Sequence, residues 1–162
     1  MNNTTSLPYY DTFHDWILQN LPRGATMLEF GSGPGTTRFV EKYQVYSIEH
    51  DLKYLNAEPK STYVHAPIVI NSNNIRWYDE KIVRNFIKDL RYDLVLVDGP
   101  LGSIGRSGIK NILDVLKTEN IPVIFDDVNR PKELKLMVEV SQMLERDYDI
   151  YKGINRSFSV LK

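Results

Sequence analysis

Met27-Leu28-Glu29-Phe30-Gly31-Ser32-Gly33-Pro34-Gly35-Thr36 is the stretch that decides the fold. Residues 26–30 form a short apolar run that reads as a buried strand. The run opens into three glycines at alternate positions, and residues 36–43 then read as a short helix. Glycines at such a junction permit a tight turn and let a ligand approach the backbone, and the helix beyond them offers unpaired N–H donors. Outward from this unit, helical and extended patterns alternate. Phe13, Trp16, Ile17 and Leu21 set a helical stripe over 11–21. Strands are expected at 45–49 and 62–66. Ile82, Val83, Phe86, Ile87 and Leu90 predict a helix over 77–90. Residues 93–98 (DLVLVD) and 120–126 (NIPVIFD) are apolar runs bounded by acids, as in strands covered on both faces. Between them Ile109, Ile112, Leu113 and Leu116 mark another helix. Pro131 suits a first helical turn, followed by the stripe Leu134, Met137, Val140 and Leu144. Two alternating runs, 148–153 and 157–161, read as an antiparallel pair. Such alternation predicts an α/β fold of three layers, a mainly parallel sheet with helices on both faces. Ligands of such sheets bind at the carboxyl ends of the strands, here just after Phe30, Glu49, Ala66, Val97 and Phe125.

Composition narrows the chemistry. The chain has 162 residues, with 20 Lys+Arg against 21 Asp+Glu for a net charge of −1, and no cysteine. Disulfides, thiolate zinc sites, cysteine-held iron–sulfur clusters and a cysteine nucleophile are excluded. A near-neutral balance argues against a nucleic-acid partner, and no apolar run reaches the ~20 residues that span a bilayer. Residues 1–10 lack the charged and apolar regions of a secretory signal, so the sequons at Asn2, Asn3 and Asn155 read as chance. The expectation is a cytoplasmic protein with a flexible stretch, 1–9, before a single domain, 10–162, and no nucleic-acid or membrane partner.

The glycine loop departs from the dinucleotide fingerprint, whose third glycine would stand at Thr36; here it stands at Gly35. Pro34 removes one donor, and Glu29, two residues before the first glycine, would repel a pyrophosphate but attract a cation. Twenty residues on, Glu49 ends the second strand, where an acid accepts bonds from both hydroxyls of a ribose. A ribose, a positive charge and no phosphate describe S-adenosylmethionine (SAM). On EFGSGPG (29–35), SIEHD (47–51) and DLVLVDGP (93–100), the chain resembles the class I, Rossmann-like SAM-dependent methyltransferases, with a mostly parallel seven-stranded sheet and an antiparallel C-terminal strand pair. The resemblance implies a cofactor site made by Glu29, Phe30, Gly31, Ser32, Gly33, Gly35 and Thr36 under the methionine part. Glu49 and His50 would stand by the ribose, His65 and Ala66 by the adenine, and Asp98 beside them.

Methyl transfer to a hydroxyl is an in-line displacement that needs a positioned nucleophile and a proton acceptor. Asp98, Asp126 and Asp127 end adjacent strands, where a divalent metal such as Mg²⁺ would relieve their repulsion. Metal-dependent O-methyltransferases of this fold place acids there; acids at strand ends also serve simply to cap helices, and both uses stay open. Asp98-Gly99-Pro100-Leu101-Gly102 with Gly105-Arg106, and Asp126-Asp127-Val128-Asn129-Arg130, are similar to the glucuronoxylan 4-O-methyltransferase group and small bacterial sugar O-methyltransferases. That likeness implies a sugar or other small-molecule hydroxyl as acceptor, with Arg106 or Arg130 on an acceptor carboxylate; either arginine would otherwise staple a loop. His65 is a candidate general base, although a histidine that bonds loop carbonyls is the commoner use. His14 reads as packing. The expected catalytic set is therefore Asp98, His65, Arg106 and Asp126, with Asp98, Asp126 and Asp127 as metal candidates. An Asn/Asp-Pro-Pro-aromatic motif, which amino-group methylation of a flipped base would use, is missing after residue 97. Two other readings are a SAM-binding module without catalysis and an NAD-dependent oxidoreductase. A homodimer is left open.

Overall fold

A computed structural model of the chain describes residues 7–162. Most of the expected flexible stretch, with Asn2 and Asn3, lies outside the described residues. Helix α1 (Phe13–Asn20) leads into β1 (Thr26–Phe30), the short α2 (Thr36–Phe39), β2 (Gln44–Glu49) and β3 (Thr62–His65). A hairpin follows, β4 (Ile68–Ile70) and β5 (Arg76–Tyr78), then α3 (Glu80–Ile87) and β6 (Leu94–Val97). A 3₁₀ helix (Ser107–Ile112), β7 (Val123–Phe125), α4 (Pro131–Met143), β8 (Tyr148–Lys152) and β9 (Ser157–Leu161) complete the order.

Seven strands form one sheet in the order β3-β2-β1-β6-β7-β9-β8. The first five pair in parallel, and β9 runs antiparallel to both β7 and β8. Alternate residues of the covered strands feed two separate apolar layers, because side chains of a strand point to opposite faces in turn. Leu28, Phe30, Val95, Val97, Val123 and Phe125 join the layer under α3, the 3₁₀ helix and α4. Met27, Leu94, Leu96 and Ile124 join the layer that Phe13 and Ile17 of α1 cover. Each fully buried residue of this kind contributes about 1.5–3 kcal/mol, which is why uninterrupted apolar runs were readable as covered strands. No helix among the described residues is long and apolar enough to cross a membrane.

Three expected elements differ. The helix expected over 77–90 begins only at Glu80, because Arg76–Tyr78 pairs with Ile68–Ile70 and Asp79 caps the helix by accepting from the Lys81 and Ile82 amides at 3.0 and 3.3 Å. The helix expected over 36–43 ends at Phe39; the Tyr43 amide still closes a turn on the Phe39 carbonyl at 2.9 Å, but the Gln44 amide already donates to the Ala25 carbonyl at 3.0 Å and starts β2. Around Ile109 the helix is 3₁₀, with Gly108 lying so close on the Trp77 ring that a Cβ there would overlap it.

Candidate active site

Strand order reverses at β1, whose neighbours β2 and β6 lead to opposite edges of the sheet. Two loops leave that point side by side, and glycine lets them touch. Gly31 has φ +88°, and a Cβ on it would lie 2.8 Å from the Gly99 Cα. A Cβ on Gly99 would lie 2.5 Å from the Tyr78 hydroxyl and 2.6 Å from the Gly31 Cα. Above this contact opens a cavity of about 390 Å³. Among its lining residues are Glu29, Gly31, Ser32, Gly33, Gly35, Thr36, Glu49, His50 and Asp98, nine of the residues expected at the cofactor.

Two buried glutamates hold the glycine loop. Glu29 Oε1 accepts from Thr36 Oγ1 at 2.8 Å and from Ser47 Oγ at 2.6 Å, and burial pushes its carboxyl up to about 7. Glu49 Oε1 accepts from the His50 and Asp51 amides at 2.7 Å each, and Oε2 from the Ser32 amide at 2.8 Å. A carboxylate oxygen accepts about two bonds, so Oε2 keeps one site for a ligand hydroxyl.

Phe30, Ala66 and His65 stand apart from this lining. Phe30 and Ala66 are fully buried in the apolar layer. His65 is exposed at the end of β3, with Nε2 3.1 Å from the His50 carbonyl; its strand lies at the sheet edge, with two strands between it and β6. His14, read from the sequence as packing, does line the cavity. It is stacked between Phe13 and Phe39 at 4.1 and 4.9 Å, its Nε2 is buried without a partner, and burial lowers it to about 4. Tyr78 and Arg156 also line the cavity and were not singled out as site residues. Arg156 precedes β9, and only the insertion of that strand between β7 and β8 brings it here.

Beside the cavity the three aspartates meet: one oxygen each from Asp98, Asp126 and Asp127 lies within 4.8 Å of the others. Three oxygens at this spacing would suit a hard divalent ion. The guanidinium of Arg106, buried at 4 % exposure, stands among them instead. Its Nη2 donates to Asp127 Oδ2 at 3.1 Å and to Asp98 Oδ1 at 3.4 Å, its Nη1 to the Asp126 carbonyl at 3.1 Å, and its Nε to the Pro100 carbonyl at 3.3 Å. Arg130 reaches Asp127 Oδ2 at 3.1 Å, and Arg156 reaches Asp126 Oδ2 at 3.2 Å. Each of the three carboxylates thus already pairs with an arginine, a crowding of positive charge that does not suit a metal. Neither Arg106 nor Arg130 lines the cavity; Arg106 staples the loops after β6 and β7, the second of the two uses open to it. Burial, then the Asp126 charge, holds the Asp98 carboxyl well above the usual carboxylate range, and burial raises Asp126 too.

No protein-family model matches the chain, and no curated protein matches it in sequence. Solved structures do. A Staphylococcus aureus chain assigned as a caffeoyl-CoA O-methyltransferase is similar at TM-score 0.60 and 13 % identity, over 96 % of this chain and 86 % of that one. The fold is that of the class I methyltransferases. A second similar structure is the S-adenosylhomocysteine-bound methyltransferase PaMTH1 of Podospora anserina, with TM-score 0.55, 17 % identity, and coverage of 91 % and 76 %. A third is the B. subtilis m1A22 tRNA methyltransferase TrmK, with TM-score 0.53, 16 % identity, and coverage of 94 % and 64 %. The names of these methyltransferases carry acceptors as different as a CoA ester and a tRNA, so the shared methyltransferase fold does not choose the acceptor.

Proposed function

We propose that the protein binds SAM and methylates a hydroxyl of a small-molecule or carbohydrate acceptor. The observation that carries this reading is the charge of the cavity. Among the described residues its lining holds the acids Glu29, Glu49, Asp51 and Asp98 against a single arginine, Arg156, and no lysine. Such walls repel a pyrophosphate and attract a sulfonium, which sets SAM above NAD. A volume of about 390 Å³ lies within the range of small-ligand sites.

SAM, when bound, supplies an electrophilic methyl carbon on a sulfonium. The rest belongs to the chain. Backbone at Gly31–Gly35 admits the ligand closely, and the free acceptor site on Glu49 Oε2 receives a ribose hydroxyl. Asp98, at the end of β6 and lining the cavity, takes the proton of the acceptor hydroxyl. Its raised affinity for protons makes it a stronger base than an ordinary carboxylate, and its deprotonated share grows with pH, so turnover rises through the neutral range. His65 and Ala66 have no part in this reading.

Calorimetry with SAM followed by assay of S-adenosylhomocysteine release across a panel of hydroxyl acceptors tests the proposal. Asp98→Asn is expected to keep SAM affinity while losing roughly 10²–10⁴-fold in turnover, the usual size of general-base catalysis. SAM binding with no turnover on any acceptor points to a binding module, and NAD binding without SAM binding points to an oxidoreductase.

A further inference from the structure

We infer that Arg106 is a built-in counter-cation: it occupies the place of a divalent ion among Asp98, Asp126 and Asp127 and is the positioning residue for Asp98. This rests on the methyltransferase reading only where it speaks of Asp98 as base; the charge exchange stands on geometry alone.

Three carboxylates whose oxygens converge within 4.8 Å, Asp126 and Asp127 buried and Asp98 partly exposed, repel one another. A cation must stand between them or protons must bind. Arg106 supplies the cation, and its planar fork touches two of the acids while two further N–H groups hold the Pro100 and Asp126 carbonyls. Those carbonyls belong to the loops after β6 and β7, so one side chain ties both catalytic-side loops to the acid between them. A metal ion would coordinate the acids but could not donate to the carbonyls; it would need to accept them as ligands, in a different loop conformation. Asp126 Oδ1 is buried with no hydrogen-bond partner, so the arginines do not satisfy the cluster completely. Of the groups around Asp98, Asp126 and Asp127 oppose its ionisation and Arg106 favours it, Tyr78 has its hydroxyl held well above its usual range, Arg130 and Arg156 pair with Asp127 and Asp126, and Glu29, Glu49 and Asp51 share the cavity with it.

Removing the guanidinium should therefore expose a divalent-cation site that the natural chain keeps closed. Mn²⁺ binding, followed by electron paramagnetic resonance on the full chain saturated with S-adenosylhomocysteine, is compared for wild type, Arg106→Lys and Arg106→Ala. Arg106→Ala is expected to bind Mn²⁺ at least roughly tenfold more tightly than wild type, as an uncompensated acid cluster would, and Arg106→Lys to bind like wild type. In isotope-edited infrared titrations the Asp98 carboxyl deprotonates at higher pH in Arg106→Ala and is restored towards wild type in Arg106→Lys, a response that a merely structural arginine would not give. Wild-type binding of Mn²⁺ as tight as that of Arg106→Ala, or an unmoved Asp98 titration, overturns the inference. Where Arg106→Ala fails to fold, loss of wild-type turnover on chelation by EDTA, or wild-type binding of Mn²⁺ at the cluster, does so. None of the binding readouts needs turnover, so a chain that shows this metal pattern yet ignores SAM removes the proposed function and leaves the counter-cation standing.

Discussion

Glu49 holds a loop, and under the proposed function it serves a ligand as well. Three backbone amides already converge on it, so its charge is stabilised before any ligand arrives. Glu49→Gln keeps the shape, turns one acceptor into a donor and is expected to weaken SAM binding by about 1–3 kcal/mol, read by calorimetry. Glu29 has the opposite electrostatics. Burial raises it from 4.5 to about 7, so between these values the folded chain holds a proton that the unfolded chain has released. Its contribution to stability is then lost as pH rises through that window. Glu29→Gln, whose carbonyl can still accept from Thr36 and Ser47, is expected to gain on wild type by on the order of 2–3 kcal/mol between pH 4 and pH 8. Urea denaturation at several pH values measures this; parallel curves would refute it. At this scale the sequence was informative for acids that end strands, because strand alternation fixes where they stand. It read His14 only as packing and was silent on Arg156. The first reaches the glycine loop only because α1 packs Phe13 and Ile17 into the same layer as Phe39, and the second only through the order of distant strands.

The elements were legible where one period dominated. Residues 93–98 and 157–161 show it: apolar runs or alternation with no competing pattern led to β6 and β9 within a residue or two. Residues 77–90 were misread because the helical stripe that starts at Ile82 extends by chance back to Trp77, whose burial in fact comes from the hairpin and from Gly108. Asp79, an acid just before a helical run, was the available sign. Its weight can be measured. Asp79→Ala removes the acceptor for two amides and is expected to cost about 1 kcal/mol in thermal denaturation, while Asp79→Ser costs a fraction of that. Equal losses for the two variants would show that the cap carries no stability of its own.

At the scale of the whole molecule, one sheet with an apolar layer on each face supports a cavity formed mostly by loops at its carboxyl edge. A ligand that bridges the loops after β1, β2 and β6 binds only the folded chain, so it must stabilise the fold by mass action. S-adenosylhomocysteine at a hundredfold its Kd adds about 2.7 kcal/mol, which for a chain of this size raises Tm by roughly 5–10 °C. NAD at the same concentration is expected to leave Tm unchanged, and differential scanning fluorimetry compares the two. The topology was readable in advance because parallel crossovers leave few arrangements open. The cavity's full lining was not, since it draws on loop side chains, such as those of Tyr54 and Arg156, whose meeting depends on that topology as a whole.

The meeting of Gly31 with Gly99 works as a fulcrum. The segment proposed to hold the methyl donor and the segment proposed to hold the base rest on each other through two residues with only hydrogen for a side chain, so neither can tilt without levering the other. The span between them is thereby tied to backbone thickness, and even one added methyl group at that pivot would prise the two segments apart while leaving the side chains in place on their own strands.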